Sequence, residues 1–525
     1  MDADRGAPQL VALSLSATAQ ADSSPPMELV PRFSSTIHDY YVRCPSATNA
    51  ITVSMTASTG ASSLLLQPTP SPSLPAQTVA LSVNENEAIV LAATDGDATT
   101  EYWIRCLPGD VPPLQWTPQA ENGTPSPGYY LVGNQIPGGD ASSGGSYALV
   151  LDGNGVPVWY ARAPPGEGVA NVDSLVPNAL SFDLFASGTY ATASFELQNL
   201  APPRATTHLA PAGTEVDLHE LRLLNGNYLI FSLSPKAGVD LTGLRAGLAD
   251  GGIQTLGPGS TILDCSIVEF TSSGAVVSTW TFSDHFDPAK DSTFPQAVPG
   301  VGEEWIDTFH CNSIDIDPAN GNLLVSARNM DSIFYVDWSS GAVLWKMGGS
   351  PYSYDGATYV SVDDPFFRQH DARLQPGWSQ TRAGGSGQVS VFDDETKMAG
   401  PARAVTYDVV VGAGDGGADD ESGCEDGSTG DCAAPGKATV AWQYKGPASS
   451  AGGGSFRVSD DGTSVIGWGA LLLRTPGLAF TEVDVGGHVL LAFSFANDNS
   501  SYRAVKVPLA QFDLATLRHT AGLPP

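Results

Sequence analysis

Basic residues and histidines are scarce in this sequence. The 525 residues include 24 Lys and Arg against 56 Asp and Glu, with only 8 His, and the formal net charge at pH 7 is −32. Such a surface repels DNA and RNA, and no basic stripe offsets it, so we expect no nucleic-acid partner. An anionic small molecule would need a local positive pocket, which makes the few His and Arg residues informative.

Long apolar runs are also missing. No stretch of about 18 apolar residues occurs, so no membrane-spanning helix is expected. The segment from Leu10 to Ala21 is apolar, but the acidic residues Asp2 and Asp4 precede it, unlike the basic start of a signal peptide. Its end, Ala19-Gln-Ala, could pass for the end of a signal peptide, but we interpret Leu10-Val-Ala-Leu-Ser-Leu as the first strand of a folded domain and expect that any export signal has been removed.

Cysteine is limited to six residues, and two pairs predict disulfides. Cys44 and Cys106 occupy similar contexts, Tyr-Val-Arg-Cys and Trp-Ile-Arg-Cys, which indicates neighbouring strands. Cys424 and Cys432 bracket a loop rich in Gly, Asp and Ser that has little else to order it. Two disulfides indicate an oxidising compartment, so we expect a secreted, periplasmic or extracellular protein.

The remaining cysteines, Cys265 and Cys311, lie in apolar, strand-like runs. We interpret them as buried thiols, with a third disulfide between them as the alternative. None of the cysteine pairs has the Cys-x-x-Cys spacing of a zinc site, and the predicted disulfide pairs lie far from histidine. No metal ligand is therefore expected.

Gly and Pro are abundant, at 57 and 39 residues, and 42% of the chain is hydrophobic. Turn formers between short alternating apolar runs predict an all-β protein. Residues 9–110 have this pattern, with Pro- and Ser-rich turns, and predict a small antiparallel β-sandwich that resembles cadherin-like modules. Residues 111–127 form a Pro-rich segment that we interpret as a linker.

Residues 128–525 contain a loose repeat. Each unit has several short strands, an Asn-Gly or Asp-Gly hairpin, and usually a tryptophan near its outer strand. The tryptophans of four units are Trp159, Trp280, Trp345 and Trp442. About six units of this kind predict a six-bladed β-propeller. The Gly- and Asp-rich tract of residues 412–436 is interpreted as an insertion in a surface loop.

Four polar residues occupy similar positions in different units, at the start or end of the presumed innermost strand. They are His219, His310, Arg328 and His370. In a propeller these positions converge around the central channel. Four polar groups from separate blades would therefore meet around one small anion.

The motifs around these residues are similar to those of the arylsulfotransferase family, and they occur in the same order. They are Asp217-Leu-His-Glu, Phe309-His-Cys-Asn-Ser, Val325-Ser-Ala-Arg-Asn, Trp345-Lys-Met-Gly-Gly, Gln369-His-Asp-Ala-Arg, Gly467-Trp-Gly, Thr481-Glu-Val-Asp and Tyr502-Arg-Ala-Val-Lys. The resemblance covers roughly Tyr129 to Val507. Any one of these motifs would be a weak signal, but several in register favour family membership.

The resemblance implies an enzyme that works without phosphoadenosine phosphosulfate and needs no cofactor. It would move a sulfuryl group from an aryl sulfate donor to a phenolic acceptor by a ping-pong mechanism. His370 matches the nucleophile that becomes sulfurylated, while His219, His310, Asn312 and Arg328 match the residues that hold the sulfuryl oxygens and assist the leaving phenol. A neutral imidazole is a competent nucleophile, and a second imidazole can carry the proton.

Two acidic neighbours receive lesser roles in this interpretation. Asp371 adjoins His370 and is a candidate for orienting an imidazole ring, and Glu220 is expected to brace the site. The run from Trp305 to His310 is spaced differently from the family pattern, and the loop of residues 352–365 does not align with it. The choice of acceptor therefore stays open.

Two alternatives belong to other functional classes. The channel of the propeller could bind sulfated small molecules or glycans without turnover, although simple anion binding would favour more Arg or Lys. Alternatively, water could hydrolyse the sulfohistidine, which would make the protein an aryl sulfate hydrolase. A formylglycine-type sulfatase is excluded because the sequence has no Cys-x-Pro-x-Arg motif. The sequence makes no prediction about oligomeric state.

Overall fold

The structure is a computed structural model that describes residues 7–17, 27–45, 47–136, 144–186, 191–248, 250–301, 304–351, 356–381, 384–412, 436–472 and 477–523. Within these ranges strands far outnumber helices, and the predicted all-β class is confirmed. None of the helices in these ranges has the length and apolar character needed to cross a membrane.

The N-terminal strands form two sheets that enclose one apolar core. The strands are β1 (Leu10–Ala17), β2 (Asp39–Cys44), β3 (Thr48–Ala57), β4 (Ser62–Gln67), β5 (Ala76–Asn84), β6 (Ala88–Asp95) and β7 (Ala98–Pro108). One sheet has the order β1-β3-β5 and the other β2-β7-β6-β4. The strand predicted at Leu10 is thus present.

One strand pair in this region departs from the expected antiparallel sandwich. Strands β2 and β7 run parallel, with Val42 opposite Cys106. A parallel pair needs a long crossover connection, and the strands β3 to β6 provide it. The predicted disulfide between Cys44 and Cys106 joins these two neighbouring strands and is confirmed.

A second disulfide joins Cys265 to Cys311, so the interpretation of these residues as buried thiols was wrong and the alternative pairing is present. Their Cα atoms are 6.5 Å apart, which is within the range that a disulfide can span. Sequence alone could not bring these two apolar runs together. Cys424 and Cys432 lie outside the described residues.

The segment predicted as a linker contains ordered structure. It includes strand β8 (Leu114–Pro118) and a 3-10 turn at Ala120–Asn122. The side chain of Arg43 in the N-terminal sheets donates hydrogen bonds of 2.7 Å to the carbonyl oxygens of Val111 and Pro112. The start of the segment is therefore attached to the N-terminal sheets.

The rest of the chain consists of antiparallel meanders. The first two contain β9 (Tyr129–Gly133), β10 (Tyr147–Leu151), β11 (Pro157–Arg162), β12 (Glu167–Asp173), β13 (Ala179–Ala186), β14 (Ala191–Asn199) and β15 (Ala205–Leu209). The third contains β16 (Val216–Leu224), β17 (Asn227–Val239), the short inserted strands β18 (Arg245–Gly247) and β19 (Ile253–Thr255), β20 (Ser260–Phe270) and β21 (Val276–Thr281).

Between the third and fourth meanders lie helix α1 (Pro288–Asp291), β22 (Gln296–Pro299) and β23 (Glu304–Asp307). The fourth meander contains β24 (Cys311–Ile316), β25 (Leu323–Ala327), β26 (Ser332–Val336) and β27 (Val343–Met347), and β28 (Thr358–Val362) follows it. The fifth contains β29 (His370–Leu374), the short β30 (Ser379–Thr381), β31 (Gly384–Asp393), β32 (Arg403–Val411) and β33 (Gly436–Lys445).

The last meander contains β34 (Ser455–Val458), β35 (Ser464–Gly467), β36 (Gly477–Val483) and β37 (Val489–Phe495), and the chain ends with β38 (Ala504–Val507) and helix α2 (Leu514–Thr520). Further 3-10 turns lie at Phe282–Asp284, Arg328–Met330 and Leu509–Gln511. Strand β8 pairs with the outer edge of this meander along β37.

The meanders close into a ring through their first strands. Strand β38 returns to pair with β9 and completes the first meander with a strand from the C-terminal end. The strands β12, β16, β24, β29, β34 and β38 contact one another in cyclic order, with β38 next to β12 again. The four tryptophans singled out in the sequence lie on β11, β21, β27 and β33, the last strands of their meanders. The six-bladed propeller stays a prediction.

The C-terminal helix α2 fastens the N-terminal sheets to the ring. The guanidinium of Arg518 donates hydrogen bonds to both carboxylate oxygens of Asp39 on β2, at 2.7 and 2.6 Å. His519 meets the ring of Trp103 edge-on with centroids 5.2 Å apart. Residues from opposite ends of the sequence therefore meet at this contact.

The Cys265–Cys311 disulfide should contribute measurably to stability. It closes a loop with a sequence separation of 46 residues. A cross-link of this length restricts the unfolded chain by about 4 kcal/mol. We expect the double variant Cys265→Ala/Cys311→Ala to lose about 2–5 kcal/mol of unfolding free energy in urea denaturation followed by tryptophan fluorescence. Thiol labelling of the denatured, unreduced wild type is the control. Labelling at Cys265 and Cys311, with an unchanged urea midpoint in the variant, would contradict the disulfide.

Candidate active site

Three histidines from three meanders converge at the ring of first strands. His219 lies within β16, His370 is the first residue of β29, and His310 immediately precedes β24. The His219 and His310 rings have centroids 4.9 Å apart, and the His370 ring lies 6.3 and 6.5 Å from them. All three side chains are almost fully buried. The structure thus brings together the three histidines that the sequence singled out.

Each imidazole has a carboxylate at its Nδ1 nitrogen. The pairs are His219 with Asp217 at 2.7 Å, His310 with Asp307 at 2.6 Å, and His370 with Asp394 at 2.5 Å. A carboxylate at Nδ1 fixes the orientation of a ring and holds the proton of a neutral imidazole on that nitrogen. The Nε2 nitrogen of such a ring then carries a lone pair rather than a proton.

Sequence reasoning missed these three aspartates. Asp217 and Asp307 stand two and three residues before their histidines, so a local signal existed for both. Asp394 follows β31 and lies 24 residues from His370 in sequence. Only the pairing of His370 on β29 with Phe392 on β31 brings it near, and this register could not be read from the sequence.

Asp371 does not orient an imidazole, although it was a candidate for that role. Its backbone has a positive φ of 54°. Its side chain accepts hydrogen bonds from Arg373 at 2.7 Å and from Arg457 at 2.8 Å. Asp371, the neighbour in sequence, therefore binds arginine side chains, whereas the more distant Asp394 orients the His370 ring.

The surroundings of His370 keep its ring neutral. The backbone N–H of Gly453 points at Nε2 from 3.3 Å, so Nε2 is the acceptor and the ring proton is on Nδ1, shared with Asp394. Burial lowers the pKa of His370 well below its ordinary value, and the charge of Arg328 lowers it further. An uncharged imidazole with an available Nε2 lone pair is the nucleophilic form of histidine.

His310 is also shifted toward its neutral form. Burial lowers the pKa of His310, and the carboxylate of Asp307 opposes this shift. The backbone of His310 has a positive φ of 50°, which turns the chain just before β24. A residue other than glycine in this conformation carries about 1–3 kcal/mol of strain, which the rest of the fold must offset.

Backbone strain is concentrated around this site. Ten residues other than glycine have positive φ in the described ranges, and three of them are asparagines in turns, at positions 86, 178 and 225. The other seven are Asn171, His310, Asp331, Arg368, Asp371, Glu395 and Lys397. Among them, His310 belongs to the site, and Arg368 and Asp371 lie within two residues of His370 in the sequence. Strain of this kind clusters where side chains must be aimed for function.

Arg328 follows β25, and its guanidinium already donates hydrogen bonds within the protein. It donates to Asn329 Oδ1 at 3.1 Å and to the carbonyl oxygen of Ala451 at 3.1 Å. Its backbone N–H donates to the carbonyl oxygen of His310 at 2.9 Å, and its charge lowers the pKa of both His310 and His370. A planar guanidinium presents donors that suit the oxygens of a small anion. The role of Arg328 in the site stays a prediction.

Asn312 lies next to the three histidines but is turned toward the backbone. Its Nδ2 donates to the carbonyl oxygen of Gln369, the residue before His370, at 2.6 Å. Its Oδ1 is buried and finds no hydrogen-bond partner within the described ranges, as is also true of Asp394 Oδ1 and Thr308 Oγ1. Buried polar atoms without partners are rare in proteins and call for an explanation such as a bound ligand.

Tyr502, which precedes β38, completes the wall of the site. Its ring centroid lies 5.7 Å from that of His219 and 6.3 Å from that of His370. The sequence analysis noted Tyr502 in a family motif but gave it no role. Only the return of the C-terminal strand to the first meander brings this residue to the histidines.

A network of paired charges lies beside the histidines and draws on all six first strands. Glu220 on β16 accepts hydrogen bonds from Arg373 and Arg503 at 2.6 and 3.0 Å. The other members are Asp173, Arg222, Asp315, Asp371 and Arg457, with Asn171 as a neutral member. The network has four acidic and four basic side chains, so its formal charges sum to zero.

These ion pairs shift the pKa values of their acids strongly. Burial opposes ionisation of Glu220, but Arg373 and Arg503 outweigh it and lower the pKa of Glu220 to about 2. Burial likewise opposes ionisation of Asp371, but its arginine partners lower the pKa of Asp371 below its ordinary value. Glu220 braces the ring of strands, in agreement with the expectation from sequence.

The three histidines also have the spacing of a metal site. Among the described residues, one ring nitrogen from each of His219, His310 and His370 lies within 4.8 Å of the others. Imidazole nitrogens held by carboxylates are common zinc ligands. The positive charge of Arg328 beside the same nitrogens favours an anion there rather than a cation. No metal ligand was expected from the sequence.

One family matches part of this chain. The family model described as arylsulfotransferase (ASST) matches residues 249–405, less than half of the sequence. This region contains His310, Asn312, Arg328, His370 and Asp394, whereas His219 precedes it. A comparison with curated proteins found none that matches.

Several solved structures are distantly similar. A protein of unknown function from Bacteroides caccae is 13% identical, covering 73% of this chain and 99% of its own, with a TM-score of 0.36. An auxiliary nutrient binding protein from Bacteroides thetaiotaomicron is 10% identical, covering 87% and 96%, with a TM-score of 0.26. A quinonprotein alcohol dehydrogenase-like protein from the same species is 10% identical, covering 73% and 94%, with a TM-score of 0.20. The TM-scores are too low to support an inference.

Removal of one charge from the network should destabilise the fold. In Glu220→Gln the size of the side chain is kept, but buried arginines lose their carboxylate. We expect a loss of about 3–5 kcal/mol of unfolding free energy in urea. The matched control is Asp363→Asn, which breaks the exposed ion pair with Lys437 and should cost less than about 1 kcal/mol. Equal losses in the two variants would contradict the bracing role of Glu220.

Proposed function

We propose that this protein is an aryl sulfotransferase that carries the sulfuryl group on His370 Nε2. The observation that carries the proposal is the convergence of three buried imidazoles, each with a carboxylate at Nδ1, beside the guanidinium of Arg328. The family match of residues 249–405 supports sulfotransferase activity at the level of the family. The meanders would be the blades of a six-bladed propeller whose channel holds the site.

In the first half-reaction, His370 Nε2 attacks the sulfur of the aryl sulfate. A nitrogen–sulfur bond forms, and the bond from sulfur to the aryl oxygen breaks and leaves its electron pair on that oxygen. The departing phenolate takes a proton from His219, which enters this half-reaction as an imidazolium whose charge its partner Asp217 stabilises. Splitting the transfer into two displacements avoids a direct reaction between donor and acceptor.

In the second half-reaction the phenolic acceptor occupies the same place. Its oxygen attacks sulfur, the nitrogen–sulfur bond breaks, and the electron pair returns to His370 Nε2. The neutral imidazole left at His219 takes the proton of the acceptor hydroxyl. The histidines then have their original protons, and neither metal nor nucleotide is consumed.

Arg328 and Gly453 are placed to hold the sulfuryl oxygens. The guanidinium of Arg328 presents a planar set of donors, which suits the oxygens on which negative charge shifts during transfer. The Gly453 N–H is 3.3 Å from His370 Nε2, so an oxygen of a group bound to Nε2 would be within its reach. Asp394 is a positioning residue that holds the ring and its proton on Nδ1.

The change His370→Ala should abolish turnover. With para-nitrophenyl sulfate as donor and phenol as acceptor, we expect nitrophenol release to fall at least about 10³-fold, because no other group replaces the nucleophile. The matched control is His488→Ala, which removes an exposed imidazole with a carboxylate, Asp484, 3.0 Å from its Nδ1. A rate of nitrophenol release in His370→Ala within tenfold of the wild-type rate would contradict the proposal.

Two further measurements accompany this assay. Release that depends on added phenol indicates transfer, whereas equal release without phenol indicates hydrolysis by water. Prior treatment with a chelator should leave the rate unchanged; loss of activity that zinc restores would identify the three histidines as a metal centre instead.

The first half-reaction should persist in weak acid. The pKa of His370 is lowered from an ordinary value of 6.5, so Nε2 remains unprotonated until the pH falls below 6.5. We expect the single-turnover burst of nitrophenol to be constant from about pH 8 to pH 6.5 and to decline only at lower pH. Nitrophenolate leaves with little help from an acid, so this burst reports the nucleophile. A burst already halved at pH 6.5, with unchanged circular dichroism, would contradict the neutral buried imidazole.

A further inference from the structure

Three cations surround one aromatic ring next to the histidines, in a chain that has few cations. The guanidinium carbon of Arg368 lies 4.2 Å from the centroid of the Phe294 ring, that of Arg328 lies 5.4 Å away, and Lys397 Nζ lies 5.3 Å away. We call Arg328, Arg368, Lys397 and Phe294 the cationic row. All three charges lie within 5.4 Å of the centroid of a single ring, so they are neighbours.

The cationic row leads from the buried histidine to solvent. His370 is 1% exposed, Arg328 is 7% exposed and Arg368 is 9% exposed, whereas Lys397 is an exposed residue. The turn after β31 ties this row to the site. It carries Asp394 at the Nδ1 nitrogen of His370 and then Thr396, whose hydroxyl accepts a hydrogen bond from Arg328 at 3.4 Å.

Acidic groups near the row offset part of its charge. Asp331 accepts hydrogen bonds from Arg368 at 3.2 Å and from Thr293 at 2.6 Å, and so offsets one cation. Asp393 is bound to Arg403 at 2.8 Å, and Glu395 acts on Arg368 only through its charge. In the described part of the chain, Lys397 has no ion-pair partner.

Arg368 retains an unused donor. Its Nε is buried and has no hydrogen-bond partner among the described residues, and the residue is only 9% exposed. A buried guanidinium N–H without an acceptor costs free energy unless a ligand supplies the acceptor. Together with the strained backbones of Arg368 and Lys397, whose φ values are 58° and 59°, this donor indicates a place built to bind an anion.

We propose that Arg368 and Lys397 bind a second negative charge on the donor, so that the preferred substrates are aryl sulfates that carry a carboxylate or a second sulfate on the ring. The proposal rests on the sulfotransferase function proposed above. Arg328 serves the sulfuryl group, and with a neutral aryl group the described residues would leave Arg368 Nε without an acceptor and Lys397 without an ion-pair partner. In a protein with a net charge of −32, this local positive path also offsets the repulsion of a dianion.

The test compares two donors that differ in one charge. They are para-sulfooxybenzoate and its methyl ester, and the readout is the ratio of their kcat/KM values. We expect wild type to favour the carboxylate, and Lys397→Met to lower the ratio by roughly fivefold through the KM of the carboxylate donor. The matched control Lys437→Met removes an exposed lysine that is paired with Asp363, and should leave the ratio unchanged. Raising salt to about 0.5 M should lower the ratio of wild type.

Binding without turnover separates this inference from the proposed function. Calorimetric titration of His370→Ala protein with the two donors needs no chemistry, and we expect tighter binding of the carboxylate donor that weakens when Lys397→Met is added. A ratio near one in wild type, or equal loss for both donors in Lys397→Met, would overturn the inference. Preferential, Lys397-dependent binding in a wild-type protein that turns over neither donor would support the inference and refute the enzyme.

Discussion

Pairing of buried charge is the constraint on which this structure depends. Six first strands contact one another in a ring, and polar or charged side chains lie on them or next to them. These side chains are largely buried, so water solvates their charges poorly. Glu220 and Asp371 pair with Arg373, Arg457 and Arg503, and these pairs offset part of the cost of burying the charges. Because the same strands carry His219 and His370, the network that closes the ring also sets the distances between the imidazoles.

Local pairing of charge also determines the chemistry of the site. Each histidine has one carboxylate, which fixes the ring, and Arg328 supplies a positive charge that keeps His370 neutral. Neutral imidazoles next to a fixed guanidinium suit a group that is anionic and electrophilic, as a sulfate ester is. Lys397 extends the positive charge outward, so one electrostatic pattern connects the nucleophile with substrate choice.

Much of this arrangement could be predicted from the sequence, because the relevant signals are local. Alternating apolar runs and hairpin turns predicted an all-β chain, and the shared contexts of Cys44 and Cys106 predicted their disulfide. The contacts that were missed join distant segments. Asp394 reaches His370 only through strand register, Cys265 meets Cys311 only between meanders, and β2 pairs with β7 in parallel after a long crossover. Asp371 misled because adjacent side chains on a strand point to opposite faces.

The central claim is that His370 Nε2 becomes covalently sulfurylated. Its most direct test is to mix wild type with para-nitrophenyl sulfate in the absence of acceptor, quench, and locate the adduct by peptide mass spectrometry under mildly basic conditions that preserve a sulfohistidine. The account predicts one sulfuryl group, on the peptide that contains His370, which disappears when phenol is added before the quench. A sulfuryl group on another residue, or turnover without any adduct, would contradict it.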